Sequence, residues 1–138
     1  MPNYIDPTKE SFGHFKDLAS DKPVQMLNLV RLNDKAVYED GSVVTGAEAY
    51  AAYSKESGPI FARLGGKIIW SGDFELTLIG PANENWDIAF IAEYPTGQAF
   101  IDMVRDPEYR KAVRHRQAAV KTSRLVRMKP KAVSKEFG

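Results

Sequence analysis

The segment Val24-Gln-Met-Leu-Asn-Leu-Val-Arg-Leu32 constrains the fold of this chain more than any other part of the sequence. Side chains alternate between the two faces of a strand, and here both faces are mainly apolar. Such a strand needs cover on both sides, as in a sheet that is packed against other layers on each face. Asn28 and Arg31 fall on opposite faces, so we expect each of them to meet a polar partner of its own.

Helical patterns flank this strand. Asp6-Pro7 is typical of an N-cap followed by proline in the first turn, and it predicts a helix that ends before Pro23. A second helix begins at the capping box Thr45–Glu48 and should be kinked or split at Gly58-Pro59. A third begins with Thr96 as its cap, and Asp106-Pro107 restarts it as a last helix that reaches Val120.

Three further strand patterns follow. Lys67–Ile79 alternates in polarity, and Gly72 within it indicates a bulge or a close backbone approach. Trp86–Tyr94 should pair with it as an antiparallel hairpin, and Thr122–Met128 is the last strand. The polar residues 33–44 are predicted to form a turn or loop.

After the N-terminal helix the order is β-α-β-β-α-β, which predicts an α+β, ferredoxin-like fold. Helices cover one face of such a sheet, so the other apolar face should be buried by a second copy, as in a dimeric α+β barrel. We expect residues 1–22 to form a helical extension, residues 23–130 the ferredoxin-like domain and residues 131–138 a tail.

The composition of the chain limits the kinds of molecule that we expect it to bind. The net charge of +1 gives no electrostatic reason to expect nucleic acid, and no apolar run is long enough to cross a membrane. The absence of cysteine excludes disulfides and thiolate metal sites. Two distant histidines make no metal site, no cofactor is predicted, and the default expectation is a cytoplasmic protein.

Arg116 is the main candidate site residue, because it projects from the apolar stripe of the last helix. A guanidinium against a core needs a carboxylate, carbonyl oxygens or a bound anion. It could form a structural ion pair with Glu93 or Asp73, or it could clamp a substrate carboxylate or enolate. His115 beside it could be a half-buried hydrogen-bonded residue, a general acid or base, or, less readily, a haem ligand.

Four other residues complete the predicted site. Asn28 could donate to a carbonyl or a developing oxyanion, although a satisfied amide within the sheet fits as well. Tyr53, Trp70 and Tyr94 could form the walls of a pocket, or they could serve core or dimer packing.

Several ordered motifs resemble those of a known family, domain-of-unknown-function family 1330 in the dimeric α+β barrel superfamily. They span residues 24–128 and are Met26–Arg31, Gly46–Tyr50, Gly65-Gly66 with Trp70–Gly72, Trp86-Asp87, Glu93–Thr96, Asp106–Tyr109, His115-Arg116 and Ser123–Leu125. The resemblance implies a ferredoxin-like protomer and a homodimer. The superfamily includes cofactor-independent monooxygenases, isomerases, haem enzymes and proteins with no known reaction.

The leading hypothesis is a site for an acidic or carbonyl-bearing metabolite, built around Arg116, His115 and Asn28. Proton transfer or cofactor-free oxygenation is the chemistry that such a site would support. The rival hypothesis is a non-catalytic homodimeric module that is structural or binds a ligand.

Overall fold

A computed structural model describes residues 3–138 and shows an α+β fold with a four-stranded antiparallel sheet. The elements in chain order are α1 (Lys9–Asp17), β1 (Val24–Leu32), β2 (Lys35–Val37), β3 (Val43–Thr45), α2 (Gly46–Arg63), β4 (Lys67–Gly72), β5 (Ile88–Tyr94), α3 (Gly97–Arg105), α4 (Pro107–Ala119) and β6 (Val120–Met128). The predicted ferredoxin-like βαββαβ order with an extra N-terminal helix is therefore confirmed. None of the helices in residues 3–138 is long and apolar enough to cross a membrane.

The main sheet has the strand order β4-β5-β1-β6, so β1 lies between β5 and β6. Val24 pairs with Tyr94 across one side of β1, and Val30 pairs with Ser123 across the other. These residues lie on the face that the helices cover, and all four are buried. The alternation of β1 thus points its even-numbered residues at the helices.

The helix-covered face holds two separate apolar clusters. One lies under α3 and the second half of α2, and its buried members are Val24, Met26, Ile60, Ala92, Tyr94, Ala99, Phe100 and Met103. The other lies under the first half of α2 and the end of α4, and its buried members are Val30, Ala36, Ala49, Tyr50, Ala119 and Val120. Asn28 lies on β1 between Met26 and Val30, at the boundary of the two clusters.

The opposite face of the sheet, which we call the open face, has no helix over it in the described chain. Its apolar side chains are Leu27, Leu29, Trp70, Ile91, Val126 and Met128, as the strand register places them. Trp70, Val126 and Met128 remain 42–50% exposed. The prediction that β1 is apolar on both faces is confirmed.

Two strand predictions are wrong. The Lys67–Ile79 strand ends at Gly72, because its neighbour β5 begins at Ile88 and residues 73–79 lie beyond the end of that strand. Residues 33–44 are not simply a loop, since β2 and β3 pair as a short hairpin that buries Ala36 completely. The irregularity in this strand lies between Ile68 and Trp70 rather than at Gly72, and the atom close to Gly72 belongs to the Trp70 ring, 2.8 Å from where a Cβ would stand.

Two helix predictions also change. α1 begins at Lys9 rather than beside Pro7, because Thr8 and Ser11 form a capping box. α2 is not split at Pro59 and continues to Arg63. Ser57 and Ile60 on either side of the proline are buried, and α2 packs along α4, so tertiary packing outweighs the local cost of the proline.

Candidate functional site

α4 carries both His115 and Arg116, and its start is fixed by Asp106. The Asp106 carboxylate accepts the backbone N–H of Glu108 at 2.8 Å and pairs with Arg63 of α2 at 2.5 Å. The hydrogen bond from Arg63 lowers the pKa of Asp106, helped by the backbone N–H groups it caps. This cap ties α4 to α2 before the site residues begin.

Arg116 is half-buried and directed towards β6 and the N-terminal segment. Its Nη1 donates to the carbonyl of Ile5, and its Nη2 donates to Ser123 Oγ at 3.2 Å. Ser123 Oγ in turn donates to the carbonyl of Tyr4 at 2.8 Å. Within residues 3–138, no carboxylate lies within ion-pair distance of Arg116.

The structural ion pair that was one alternative for Arg116 is therefore not formed. Glu93 lies on the open face, where it accepts from Gln25 at 2.8 Å and faces Lys67 at 3.6 Å. A guanidinium has five N–H groups, and the two hydrogen bonds of Arg116 use neutral acceptors only. Three N–H groups remain without an acceptor in the described chain.

Three tyrosines lie near the Arg116 charge. Tyr53 of α2 and Tyr109 of α4 share a hydrogen bond of 2.8 Å between their hydroxyls, and the Tyr50 ring lies 5.4 Å from that of Tyr53. Burial raises the pKa of all three phenols, and the Arg116 charge opposes that rise. They therefore remain neutral hydroxyls at physiological pH and can donate hydrogen bonds.

We call Tyr50, Tyr53, Tyr109, Arg116 and Ser123 the Arg116 cluster. Asn28 borders it on the sheet, because Asn28 pairs with Leu125 and its neighbour Val30 pairs with Ser123. The Asn28 amide donates to the Met26 carbonyl at 2.9 Å, which leaves one N–H and the Oδ1 atom without a partner in residues 3–138. Leu125, on the same face, is 39% exposed, so the helical layer does not close over this part of the sheet.

Trp70 and Tyr94, the other two residues that were predicted to form pocket walls, are not members of the Arg116 cluster. Trp70 lies on the open face, opposite Ile91. Tyr94 is a core residue that packs edge-on against Phe61 and Phe100 at 5.2 and 5.3 Å between ring centroids. Its hydroxyl contacts Met103 Sδ at 3.5 Å, and burial raises its pKa.

His115 points away from Arg116 although it is the next residue. Its side chain is only 10% exposed and lies between α2 and the β2–β3 hairpin. Nε2 is 2.6 Å from Glu56 Oε2, and Nδ1 is 2.6 Å from the hydroxyl of Tyr38. The two catalytic candidates thus belong to different hydrogen-bond networks.

The sequence pattern did not identify Tyr38, Glu56, Tyr109 or Ser123 as site residues. Tyr38 and Glu56 lie 77 and 59 positions from His115, so no local spacing connects them. Tyr109 was visible only as a member of an apolar stripe. The hydrogen bond of its hydroxyl forms only when α2 places Tyr53 beside it.

A separate surface cavity of about 630 Å³ lies at the end of β1. It is polar and open, and it contains none of the predicted site residues; its lining is Arg31, Leu32, Asn33, Asp34, Lys35, Asn85, Asp87 and Lys121. In residues 3–138, no three histidine, aspartate or glutamate side chains are grouped so that they could hold a metal ion.

Comparison with known families gives one match, to the domain of unknown function DUF1330 over residues 41–128, more than half of the chain. The chain belongs to the DUF1330 family. The match begins inside the β2–β3 hairpin and covers α2, α4 and β6, which together carry the whole Arg116 cluster and His115. No curated protein matches the chain.

Two solved structures are similar to this chain over nearly all of its length. A protein of unknown function from Rhodopseudomonas palustris is 58% identical, with a TM-score of 0.91 over 96% of this chain and 100% of that chain. The methylated form of that protein is similar at 58% identity and a TM-score of 0.94, over 98% of this chain and 100% of that chain.

More distant structures share the fold alone. SnoaB, a cofactor-independent oxygenase from Streptomyces nogalater, has a TM-score of 0.51 at 16% identity over 83% of this chain and 99% of its own. A Bacteroides thetaiotaomicron protein described as an antibiotic biosynthesis monooxygenase has a TM-score of 0.52 at 14% identity, over 85% of this chain and 97% of its own. This DUF1330 protein therefore shares its ferredoxin-like α+β fold with these two proteins.

Proposed function

We propose that the Arg116 cluster binds a small molecule through a carboxylate or carbonyl oxygen. The observation that carries this proposal is a half-buried guanidinium that has only neutral acceptors, the Ile5 carbonyl and the Ser123 hydroxyl. Removing a charge from water is costly unless an opposite charge or several hydrogen bonds compensate for it. A ligand carboxylate would supply both to the unused N–H groups.

The surroundings of Arg116 support an anionic ligand. Burial keeps the hydroxyls of Tyr53 and Tyr109 neutral, so the one that does not donate to the other can donate to a negatively charged oxygen without adding repulsion. Asn28 adds an amide group at the border of the cluster, and Leu125 offers exposed apolar surface beside it. The cluster suits a ligand with one anionic end and an apolar body.

The chemistry that we propose here is the stabilisation of negative charge on a substrate oxygen, as in an enolate, without a bound cofactor. Preorganised donors around a developing oxyanion are a major source of catalysis. Oxygenation of such an enolate fits a fold that is shared with a cofactor-independent oxygenase. Proton abstraction requires a base, and the Arg116 cluster contains neither an imidazole nor a carboxylate, so we favour a substrate that ionises readily by itself.

A thermal-shift screen of small aromatic and aliphatic carboxylates and keto acids tests this proposal. A ligand at ten times its Kd stabilises the folded state by about 1.4 kcal/mol, which raises Tm by about 3–5 °C in a domain of this size. Arg116→Met should abolish the shift. Arg110→Met is the matched control, because Arg110 lies on the same helix with an exposed side chain, and it should leave the shift unchanged.

Each hit is then compared with its neutral amide. Preference for the carboxylate in the wild-type protein and its loss in Arg116→Met would support an anion site. If no carboxylate stabilises the wild-type protein more than Arg116→Met, Arg116 serves only to join the N-terminal segment to β6.

We also propose that the protein forms a homodimer through the open face. Trp70, Val126 and Met128 lie on this face with about half of their surface exposed, and Leu27 and Leu29 lie beside them. A continuous apolar surface of this kind usually marks an interface. Sedimentation velocity at micromolar concentration should give a dimer of about twice the 15.4 kDa chain mass, and a monomer would contradict the proposal.

A further inference from the structure

His115 is the centre of a chain of three side chains that lies apart from the Arg116 cluster. Tyr38 follows β2 in the hairpin, His115 lies on α4 and Glu56 lies on α2. Both ring nitrogens of the buried imidazole have a partner at 2.6 Å, the Tyr38 hydroxyl on Nδ1 and a Glu56 carboxylate oxygen on Nε2. Three different elements therefore meet at one titratable ring.

The partners determine which nitrogen carries the proton of the neutral ring. An ionised carboxylate can only accept hydrogen bonds, so Nε2 carries a hydrogen and donates it to Glu56. Nδ1 is then an acceptor, and the Tyr38 hydroxyl donates to it. This is the arrangement in which a base takes the proton of a nucleophile while a third group orients the base.

Two further features favour reaction at Tyr38. The Arg114 guanidinium lies 5.9 Å from the centre of the Tyr38 ring, close enough for a cation–π interaction that restrains the orientation of the phenol. Tyr38 is partly exposed and is followed by the exposed turn residues Glu39, Asp40 and Gly41, whereas His115 is buried. Because Tyr38 is partly exposed, we expect a small molecule from solvent to reach its phenol, with the buried His115 behind it.

We propose that Tyr38, His115 and Glu56 form a relay that makes the Tyr38 hydroxyl a nucleophile towards activated acyl compounds such as esters. The phenol oxygen attacks the carbonyl carbon, and its proton passes to Nδ1 of His115. The bond from the carbonyl carbon to the leaving oxygen breaks, and the leaving group departs with that electron pair. Glu56 stabilises the imidazolium, which releases its proton to the leaving group or to water, and an acyl ester of Tyr38 remains.

Acetylation by p-nitrophenyl acetate tests this step, with p-nitrophenolate release followed by absorbance and the acetylated tyrosines located by peptide mass spectrometry. Tyr4 is the internal control. It is 54% exposed and has the Arg124 guanidinium 5.0 Å from its ring centre, but within residues 3–138 no imidazole is hydrogen-bonded to its hydroxyl. We expect Tyr38 to be acetylated at least about tenfold faster than Tyr4 although it is less exposed.

Substitutions in the relay test whether activation by His115, rather than solvent exposure, determines the acetylation rate of Tyr38. His115→Gln should slow acetylation of Tyr38 by about 10- to 100-fold and leave Tyr4 unchanged. Because His115 is buried and this variant could unfold, Glu56→Gln is the second test. Glu56 has a side chain 43% exposed, so its substitution should be tolerated, and loss of the carboxylate should slow acetylation several-fold.

The outcomes are distinguishable. Faster acetylation of Tyr38 than of Tyr4, with loss of that difference in a folded Glu56→Gln or His115→Gln protein, supports the relay. Equal or slower acetylation of Tyr38, or a rate that both variants leave unchanged, would overturn the proposal. The three side chains would then only fasten the β2–β3 hairpin to α2 and α4.

Discussion

Gly46, the first residue of α2, should be the least replaceable glycine in the chain. A Cβ at this position would stand 1.9 Å from the backbone oxygen of Asn33, and Gly46 is buried. Asn33 cannot easily move away. Its backbone N–H donates to the Ala119 carbonyl at 2.8 Å, and its side-chain amide donates to the Ala118 carbonyl at 3.1 Å.

The loss of stability in Gly46→Ala can be estimated from the groups that must move apart to make room for the Cβ. A contact of ordinary length requires a displacement of more than 1 Å between α2 and the segment that contains Asn33, as judged from normal van der Waals distances of about 3.5 Å. The two Asn33 hydrogen bonds and the 3.3 Å bond from Gly46 N–H to the Asp34 carbonyl would weaken, at about 1 kcal/mol each. Overpacking next to the fully buried Ala49 adds to this cost. We therefore expect the free energy of unfolding to fall by about 3–4 kcal/mol.

Urea unfolding of Gly46→Ala and Gly13→Ala compares the crowded position with a helical glycine that has room for a side chain. Gly13 lies in the interior of α1 with nothing within 4 Å of its Cβ position, so alanine there should stabilise the protein by about 0.5–1 kcal/mol. The two variants should therefore change the free energy of unfolding in opposite directions. A Gly46→Ala protein within 1 kcal/mol of the wild type would refute the reasoning about the clash.

Three further predictions follow from other parts of the molecule. Trp70→Lys places a charge on the open face and should shift the sedimenting species from dimer to monomer; an unchanged sedimentation coefficient would argue against that interface. Folding raises the pKa of Tyr53 and Tyr109 above their value near 10 in the unfolded chain, so their stabilising contribution is complete below about pH 10 and is lost as the pH rises towards the folded values. Each can lower stability by about 1.4 kcal/mol per pH unit in that range, and Tyr53→Phe should reduce the slope measured by urea unfolding between pH 9 and 11; an equal slope would contradict this account. Gly66→Ala should cost about 1–3 kcal/mol in thermal or urea unfolding, because the Phe61 ring lies 2.2 Å from the new Cβ, and a wild-type Tm would show that the ring moves freely.

Much of the fold could be predicted from the sequence because its signals are local. The capping box at Thr45, the cap at Thr96 and the restart of a helix after Asp106 each satisfy backbone groups within a few residues, and the structure confirms them. Two of the errors occur where distant packing decides. Pro59 is accommodated within α2 because α2 lies against α4, and the strand after Lys67 stops at Gly72 because its neighbour β5 begins at Ile88.

The candidate site was less predictable for the same reason. Arg116 and His115 could be selected because a charge and an imidazole on an apolar stripe need partners. The partners themselves come from elsewhere in the chain. Arg116 meets the carbonyl of Ile5, 111 positions away, and His115 contacts Tyr38 and Glu56 instead.

The sequence by itself determined the order of the helices and of the four strands in the main sheet, the two apolar faces of β1 and the family, because periodicity, caps and ordered motifs are properties of neighbouring residues. Tertiary structure alone decided that Arg116 has no carboxylate partner in the described chain, that Tyr53 and Tyr109 share a hydrogen bond, and that Tyr38 and Glu56 enclose His115. The physical reason is that a side chain's charge state and reactivity depend on groups within a few ångströms in space. The chain brings those groups together only when α2, α4 and the hairpin pack on the sheet.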